Sequence, residues 1–339
     1  MILKYLMETD RKLDHINLAL SSQVLQNEID DRFFYEPALG THNSRMDFNF
    51  ELAGKKMHYP IWISSMTGGT PLAKKINENL ARVCKEFGLG MGLGSCRSIL
   101  ENNEHLSEFD VRQFIGDDLP LYANLGIAQL EILNDENKVH LIDELINKLQ
   151  ADGLIIHINP LQEWMQPEGN QITVQPIDTI KRILDKVNTS IIVKEVGQGM
   201  GPESLKALMQ LPIEAIEFGA FGGTNFSKVE LNRNEIEKQE LYYPVVKLGH
   251  TAEQMVEMVN TIMLQEKNIL CKKIIISGGI KTFLDGYYLI NKSKVPAVYA
   301  QASAFLKYAK KNYNELQQFV AAQIKGLELA NSFLRIKEN

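Results

Sequence analysis

The sequence has few cysteines, and they form no recognisable pattern. Cys84, Cys96 and Cys271 lie far apart, without a CxxC pair and without an even number. This distribution excludes a disulfide scaffold and a cysteine-based zinc site, and it indicates a reducing compartment.

Long apolar runs and an excess of positive charge are also missing. No uncharged apolar run is long enough to span a bilayer, and residues 1–12 reach acidic side chains too early for a secretory signal. The net charge is -6, which argues against nucleic acid as a partner. We therefore expect a cytoplasmic protein that binds neither a membrane nor nucleic acid.

Short apolar segments recur from residue 60 onward, each followed by a polar or glycine-rich turn and an amphipathic stretch. The eight segments are 60–66, 89–94, 119–125, 153–159, 190–196, 213–219, 272–278 and 296–302. Strands that alternate with helices predict parallel βαβ units. A doubly wound sheet would more often show five or six units and an early GxGxxG, which does not follow the first segment. Eight units therefore predict an α/β fold, the closed (β/α)8 TIM barrel.

The barrel is predicted to occupy residues 60–302 of a single domain, 1–339. A chain of this length suits one barrel with insertions. Residues 1–59 are predicted to form an N-terminal arm and a small hairpin around AGKK, and 303–339 an extra C-terminal helix. The connection at 219–250 is long and polar, as functional or mobile loops are.

The segment 153–170 carries the densest set of polar groups. His157 and Asn159 leave the predicted strand on one face, and Gln162 and Glu163 follow its end. Together they can grip a polar ligand, and the carboxylate can hold a hard cation such as Mg2+. An ordinary polar loop after a strand is the alternative explanation for this segment taken alone.

Two further places carry unexpected charge. Arg11, Lys12 and His15 lie close together on a helix and suit a phosphate, although a solvated helix start gives the same pattern. Lys194 interrupts an apolar strand, where an unpaired charge is costly. Its partner is either a flavin ring or a neighbouring carboxylate, and the properties of the residue alone favour neither. Met66 and Trp164 are interpreted as packing residues.

Glycine-rich and polar clusters follow nearly every predicted strand. They read SSMTGGT, GSCRS, NLG, FGGT, SGGIK and QAS. Active sites in this fold lie at the C-terminal ends of the strands, and the last two clusters occupy its usual phosphate position. Each cluster alone is only a glycine turn, but their joint placement predicts a phosphorylated cofactor.

Taken together, the motifs resemble those of the type 2 isopentenyl diphosphate isomerases, FMN-dependent enzymes on a (β/α)8 barrel. The matching pieces run in family order from Arg11 to about Leu306, and HINPLQEWMQPEGN is the most specific of them. The resemblance implies that reduced FMN interconverts isopentenyl and dimethylallyl diphosphate by acid–base catalysis, with Mg2+. NADPH would serve only to reduce the FMN. It also implies a small-molecule diphosphate substrate and a homo-oligomer, either a tetramer or an octamer.

The resemblance also assigns individual residues. The FMN contacts it implies are Ser65, Met66, Thr67, Ser95, Asn124, Lys194, Thr224, Gly278, Gly279, Ala302 and Ser303. The substrate contacts it implies are Arg11, Lys12, His15, Ser95, Arg97, His157, Asn159 and Gln162. Gln162 is the implied catalytic residue, and Glu163 the implied Mg2+ ligand.

The chain departs from the family pattern at several positions. Cys96, Asn170, Phe226 and Lys281 stand where the family usually has glutamine, aspartate, tryptophan and arginine, which puts the affinity for the flavin phosphate in question. Two other functions are weighed: a 2-hydroxy-acid oxidase and a flavin-binding sensor without turnover. The oxidase class carries a His-Gly-Arg motif, whereas His250 is followed here by threonine and alanine.

Overall fold

The computed structural model describes residues 2–42, 48–65, 67–68, 70–100 and 102–337, with side chains from residue 11 onward. Eight consecutive parallel strands, β4 to β11, close into a barrel, which confirms the predicted fold. The strands in chain order are Phe33–Tyr35 (β1), Phe50–Leu52 (β2), Lys55–Met57 (β3), Ile61–Ile63 (β4), Gly90–Gly92 (β5), Leu121–Gly126 (β6), Gly153–Ile158 (β7), Ser190–Glu195 (β8), Ala215–Glu217 (β9), Ile274–Ser277 (β10), Ala297–Gln301 (β11) and Leu334–Ile336 (β12).

The helices follow the strands as the amphipathic stretches predict. They are Ile2–Ala19 (α1), Pro71–Phe87 (α2), Arg112–Ile115 (α3), Ile127–Asp135 (α4), His140–Leu149 (α5), Pro160–Met165 (α6), Pro176–Leu184 (α7), Pro202–Met209 (α8), Phe226–Leu231 (α9), Ile236–Tyr242 (α10), Ala252–Gln265 (α11), Phe283–Lys292 (α12), Ser303–Ala309 (α13) and Tyr313–Phe333 (α14). None of those in the described part of the chain is long and apolar enough to cross a membrane.

Helix α2 shows how local sequence sets these boundaries. Thr70 accepts a hydrogen bond from the Ala73 amide at 3.2 Å, and Pro71 occupies the first turn, where its missing N–H costs nothing. The helix ends at Gly88, whose φ of 68° suits a residue without a side chain.

The barrel interior is apolar toward the N-terminal ends of its strands. Trp62 and Tyr122 are fully buried there and meet edge to face, with ring centroids 6.0 Å apart. The hairpin of β2 and β3 turns at Ala53 and Gly54, both with positive φ, and packs Met57 into the same cluster. The predicted hairpin is confirmed, and it closes this end of the barrel.

Two residues further along six of the eight barrel strands, the interior becomes polar. Side chains two positions apart point to the same face of a strand, so the residues after this apolar cluster also point inward. They are Ser64, Asn124, His157, Lys194, Glu217 and Ser277. The change from apolar to polar side chains marks the C-terminal end as the place for a ligand.

The C-terminal segment differs from the prediction of one helix over 303–339. Helix α13 ends before Asn312, whose side chain caps the start of α14, and residues 334–336 leave the helix as β12. This strand pairs antiparallel with β1, with Phe33 opposite Ile336. The pairing satisfies the strand backbone, and it fixes the base of the N-terminal arm to the barrel.

Candidate active site

A cavity of about 540 Å³ opens at the C-terminal ends of β4, β8, β9, β10 and β11. Seven of the residues expected to contact a cofactor line it: Ser65, Lys194, Thr224, Gly278, Gly279, Ala302 and Ser303. The structure therefore brings together groups that lie up to 238 residues apart in the chain (303 − 65).

Glycines form one wall of this cavity because the backbone there has no room for side chains. Gly278 has a φ of 87°, and a Cβ at this position would lie 2.0 Å from the carbonyl oxygen of Ala220. Gly279 has a φ of 75°, another conformation that side chains disfavour. This wall therefore presents its backbone directly to the cavity.

Two buried polar atoms in the cavity wall have no hydrogen-bond partner among the described residues. They are Ser65 Oγ and Gln301 Oε1. The amide nitrogen of Gln301 donates to the Ile280 carbonyl at 3.1 Å, so the direction of its free oxygen is set. Buried polar atoms are costly when unpaired, and a polar group bound in the cavity would supply the missing partners.

Lys194 lies buried in β8, and its ammonium group lines the cavity. Its Nζ donates to the carbonyl oxygen of Glu195 at 2.8 Å, and it forms no ion pair with any described carboxylate. Of the two interpretations left open by the sequence, the structure therefore does not show the salt bridge. A buried cation with one neutral acceptor is well placed to meet an anionic ligand.

Glu195 is committed to the loop that follows β8. Its Oε2 accepts the backbone N–H groups of Gly197, Gln198 and Gly199, at 2.7, 2.6 and 2.8 Å. Burial raises the pKa of this carboxyl, and the three amides act in the opposite direction. Its role is to hold the cavity wall in shape.

His157 is held as a neutral imidazole. Asn124 donates through Nδ2 to the Leu93 carbonyl at 3.0 Å, which turns its Oδ1 toward His157 Nδ1 at 2.7 Å. An acceptor at that distance requires the proton on Nδ1. Burial and the nearby charge of Lys194 lower the pKa of His157 to about 3. At neutral pH this side chain therefore offers a lone pair on Nε2 and no positive charge.

The structure also brings together the polar residues that follow β7. Asn159 Nδ2 donates to Gln162 Oε1 at 3.2 Å and to Glu163 Oε1 at 3.0 Å. The second oxygen of Glu163 accepts the Asn170 N–H at 2.7 Å. Asn159 Oδ1 is buried without a partner among the described residues. One amide thus orients both the expected catalytic residue and the expected metal ligand.

The metal site implied for Glu163 has only one carboxylate. No group of three or more His, Cys, Asp or Glu side chains able to hold a metal occurs in the described ranges. Glu163 is half-buried and keeps free lone pairs on both oxygens. It can give a divalent cation one ligand, with the remaining ligands coming from substrate and water.

A second cavity, of about 600 Å³, opens beside the first on the same end of the barrel. Its lining includes Ser95 and Arg97, both expected to contact the substrate, together with Ser98, Asn102 and Gln129. Ser95 was also expected to contact the cofactor, but it does not line the glycine-walled cavity. The 3-10 turn Arg97–Ile99 directs this segment into the second cavity.

Other expected site residues lie elsewhere. Arg11, Lys12 and His15 lie on α1 with exposed side chains, and none of them lines either cavity. The carbonyl of Thr67 accepts a hydrogen bond from Asn77 Nδ2 at 3.4 Å, and its side chain lines neither cavity. Met66 lies outside the described residues.

Two of the remaining interpretations have clear outcomes. Trp164 is 76% exposed, so its interpretation as a packing residue was wrong; α6 turns it away from the core. Cys96 is fully buried, and burial raises the pKa of its thiol to about 12. This protonated, enclosed thiol is consistent with its not being proposed as a nucleophile.

The residue-by-residue expectations missed Ser64, Gln301 and Lys307, which also line the glycine-walled cavity. The two-residue spacing from the buried Trp62 points to Ser64, because alternate residues share a face. The same spacing carries no such signal for Lys307, which lies on α13.

Curated proteins named isopentenyl-diphosphate delta-isomerase match nearly the whole chain. The one from Synechocystis sp. is 32% identical over 332 residues, which cover 94% of this chain and 90% of the relative. The one from Rickettsia africae is 32% identical over 334 residues, covering 95% and 92%. The one from Rickettsia typhi is 34% identical over 285 residues, covering 82% and 80%. No family model matches the chain.

Solved structures share the barrel at much lower sequence identity. The flavin-binding domain of baker's yeast flavocytochrome b2 matches with a TM-score of 0.58 at 12% identity, over 88% of this chain and 71% of that chain. A lactate oxidase from Pediococcus acidilactici matches with a TM-score of 0.54 at 14% identity, over 91% and 84%. At these identities the likeness concerns the fold alone.

Proposed function

Because this chain belongs to the isopentenyl-diphosphate delta-isomerase family, we propose that it interconverts isopentenyl and dimethylallyl diphosphate with reduced FMN as the acid–base cofactor. The observation that carries the proposal is the glycine-walled cavity with buried Lys194 beside the Asn159–Gln162–Glu163 cluster. The family's name gives the reaction, and the site explains how this chain could perform it.

The glycine-walled cavity fits FMN in the chemistry of its walls. A flavin ring carries both hydrogen-bond donors and acceptors, which match the unpaired Gln301 oxygen and Ser65 hydroxyl. Lys281 and Lys307 line the same cavity and provide positive charge for a phosphate. The narrow glycine backbone leaves room for a planar ring.

The bound flavin would supply the proton transfer that no side chain near the substrate can provide to an alkene. Lys194 holds a positive charge in the cavity wall, which favours an anionic form of a bound group. Gln162 shares the Asn159 amide with Glu163, and from there its own amide would orient the carbon skeleton of the substrate. Neutral His157 would accept a hydrogen bond from a bound ligand through Nε2 without adding charge to the site.

Glu163 is proposed to bind Mg2+ together with the substrate diphosphate. Its Oε1 is oriented by Asn159 and its Oε2 by the Asn170 amide, so the carboxylate is fixed before a cation arrives. Arg97 and Ser95 in the neighbouring cavity would bind the diphosphate. Arg11, Lys12 and His15 would close over it from α1, either in the same subunit or in a neighbour of a tetramer or octamer.

An oxidation of 2-hydroxy acids is the second candidate, since a lactate oxidase shares the fold. That chemistry needs a base that faces the flavin. Here His250 uses its backbone to bridge Gln198 and Phe221, at 2.8 Å each, and its side chain does not line the cavity. The site therefore favours the isomerase.

The test is an anaerobic assay of the purified protein with FMN, Mg2+ and isopentenyl diphosphate. We expect dimethylallyl diphosphate only after NADPH or dithionite has reduced the flavin. Equal turnover with oxidised FMN would contradict the role of the reduced form, and no turnover in either state would contradict the proposed activity.

A companion variant tests the charge beside the cofactor. Lys194→Ala should shift the reduction potential of bound FMN to a more negative value, because a nearby cation favours the anionic reduced form. Lys56→Ala, on the exposed face of the hairpin at the opposite end of the barrel, serves as the matched control. An unchanged potential in Lys194→Ala would place this lysine away from the flavin ring.

A further inference from the structure

The base of the N-terminal arm contacts the first turn of α12, which follows the loop after β10. Arg32, directly before β1, places Nη1 2.9 Å from Oδ1 of Asp285 in the first turn of α12. The two residues are 253 positions apart in the chain. This ion pair joins the arm to the barrel beside the glycine-walled cavity.

The other oxygen of Asp285 holds the loop itself. Oδ2 accepts the Lys281 N–H at 3.1 Å, the Thr282 N–H at 2.8 Å and the Thr282 hydroxyl at 3.1 Å. The Asp285 carboxylate thus binds Arg32 through one oxygen and the loop through the other. The ion pair and these hydrogen bonds keep the pKa of Asp285 below its usual value, although burial acts in the opposite direction.

This loop lines the glycine-walled cavity and adds positive charge to it. Gly278, Gly279, Ile280 and Lys281 all line it, and Lys307 lines it from α13. On its inner side the loop is held by Gln301, which donates to the Ile280 carbonyl at 3.1 Å. Asp285 holds the outer side, so the position of the loop depends on both contacts.

Arg32 is more constrained than an ordinary surface arginine. Asp30 accepts from its Nε at 2.8 Å and from its Nη2 at 2.7 Å. Its guanidinium also lies 5.4 Å from the centre of the Phe33 ring and 5.3 Å from that of Tyr288. The Arg32 guanidinium is planar and is held in place by one carboxylate and two aromatic rings, so it directs its remaining N–H groups at Asp285. A lysine ammonium lacks this fixed geometry.

We propose that Arg32 is a positioning residue for the phosphate of the cofactor, acting through Asp285 on the loop 278–282. The inference rests on the proposed function, because it takes the ligand of this cavity to be FMN. On this proposal the N-terminal arm has a second role besides any contact with substrate. Arg32, at the base of the arm, sets the position of the loop that would bind the phosphate.

The test compares FMN with riboflavin, which has the same ring system but no phosphate. Flavin fluorescence is titrated with wild type, Arg32→Ala, Arg32→Lys and Asp285→Asn. We expect Arg32→Ala and Asp285→Asn to raise the dissociation constant of FMN by roughly tenfold, the scale of one charge-assisted hydrogen bond. The dissociation constant of riboflavin should stay within about twofold, and Arg32→Lys should recover part of the loss.

Two controls separate positioning from general loss of structure. Lys273→Ala removes an ion pair to Glu214 at the opposite end of the barrel and should leave both dissociation constants unchanged. Arg32→Ala combined with Asp285→Asn should lose no more FMN affinity than either variant alone, because both break the same contact. Thermal unfolding of each variant checks that it is folded.

The outcomes distinguish the inference from the proposed function. Wild type that binds neither flavin overturns both. Wild type that binds FMN more tightly than riboflavin, with Arg32→Ala and Asp285→Asn keeping that preference, overturns the inference alone. An equal loss of affinity for both flavins also overturns it, because a phosphate-specific effect cannot weaken riboflavin.

Discussion

The two ends of the barrel differ in how far their buried polar groups are paired within the protein. At the N-terminal end, Arg112 is 3% exposed, and all three nitrogens of its guanidinium donate hydrogen bonds. It donates to the carbonyls of Gln150, Gly116 and Leu119 and to the carboxylate of Asp152, at 2.7 to 3.1 Å. Lys55 of the hairpin lies 2.5 Å from the other oxygen of Asp152. Trp62 Nε1 has no partner among the described residues in the apolar cluster of the same end, whereas this ion-pair group is satisfied without a ligand.

The C-terminal end leaves buried polar atoms without protein partners. Within the described part of the chain these include Ser65 Oγ, Asn159 Oδ1, Gln301 Oε1 and Glu217 Oε2. Glu217 is fully buried, and its other oxygen accepts the Ser64 hydroxyl. The N-terminal end thus carries a satisfied ion-pair group and one unpaired indole N–H, whereas several buried oxygens stay unpaired at the C-terminal end. The difference indicates that one end stabilises the fold and the other is shaped for ligands.

The largest effect is expected from breaking the N-terminal end. Arg112→Ala should lower the free energy of unfolding by about 3–5 kcal/mol, because it removes the buried partner of Asp152 and leaves three backbone carbonyls without their donor. Urea unfolding measures this loss. Activity per folded molecule should stay near the wild-type value, since Arg112 contacts neither cavity.

Lys55→Ala is the matched control for that variant. Lys55 pairs with the same carboxylate but is partly exposed, so we expect a loss of at most about 1 kcal/mol. Equal losses for Lys55→Ala and Arg112→Ala would contradict the view that burial makes this ion pair important.

At the C-terminal end, Glu163→Gln should reduce turnover while leaving stability and flavin binding nearly intact. Removing one metal-binding charge should cost about 3 kcal/mol in the rate, or roughly a hundredfold. Glu168→Gln is the control, since this exposed carboxylate in the same loop pairs with Arg233. Wild-type turnover with unchanged Mg2+ dependence in Glu163→Gln would show that the cation is held elsewhere.

The N-terminal arm and Gln162 should affect different kinetic constants. Arg11→Ala and Lys12→Ala should each raise KM, by about 1.5–3 kcal/mol in binding free energy, because they are proposed to clamp the diphosphate. Gln162→Ala should chiefly lower kcat, because its amide places the reacting centre. The kinetics are measured with FMN saturated.

Lys56→Ala, on the hairpin at the opposite end, should leave both constants unchanged. If the arm variants lose kcat at constant KM and Gln162→Ala raises only KM, the two assignments are reversed.

A further expected effect concerns the pH dependence of stability. Because the pKa of His157 is lowered to about 3, the unfolded chain binds a proton below about pH 6.5 that the native protein does not. Native stability therefore falls with decreasing pH, by up to about 1.4 kcal/mol per pH unit for this group. In His157→Gln the free energy of unfolding, measured with urea, should fall less steeply between pH 6 and 4 than in wild type.

His140→Gln changes an exposed histidine and should leave the curve parallel to that of wild type. If the free energies of unfolding of His157→Gln and wild type depend on pH in the same way, His157 is not held neutral in the native protein.

The sequence predicted the features that depend on local periodicity. The barrel strands follow from apolar segments of constant spacing, and the hairpin from alternation around Ala53 and Gly54. The cluster of Asn159, Gln162 and Glu163 was predictable because its members lie within five residues of one strand end.

Features that depend on distant partners were not predictable in this way. The strand Leu334–Ile336 forms because β1 offers an edge about 300 residues earlier. Whether Lys194 meets a carboxylate depends on how close the acidic side chains of neighbouring strands come, and periodicity carries no such information. The placement of Ser95 in the second cavity depends on the 3-10 turn after it.

Hydrogen–deuterium exchange with and without FMN tests the division between the two ends most directly. We predict that FMN slows exchange at residues 195–199, 220–224, 278–282 and 301–304 at the C-terminal end. Exchange in the hairpin at 50–57 and around Arg112 should not change. Protection of the hairpin, or no protection at the glycine-walled cavity despite FMN binding, would contradict the account.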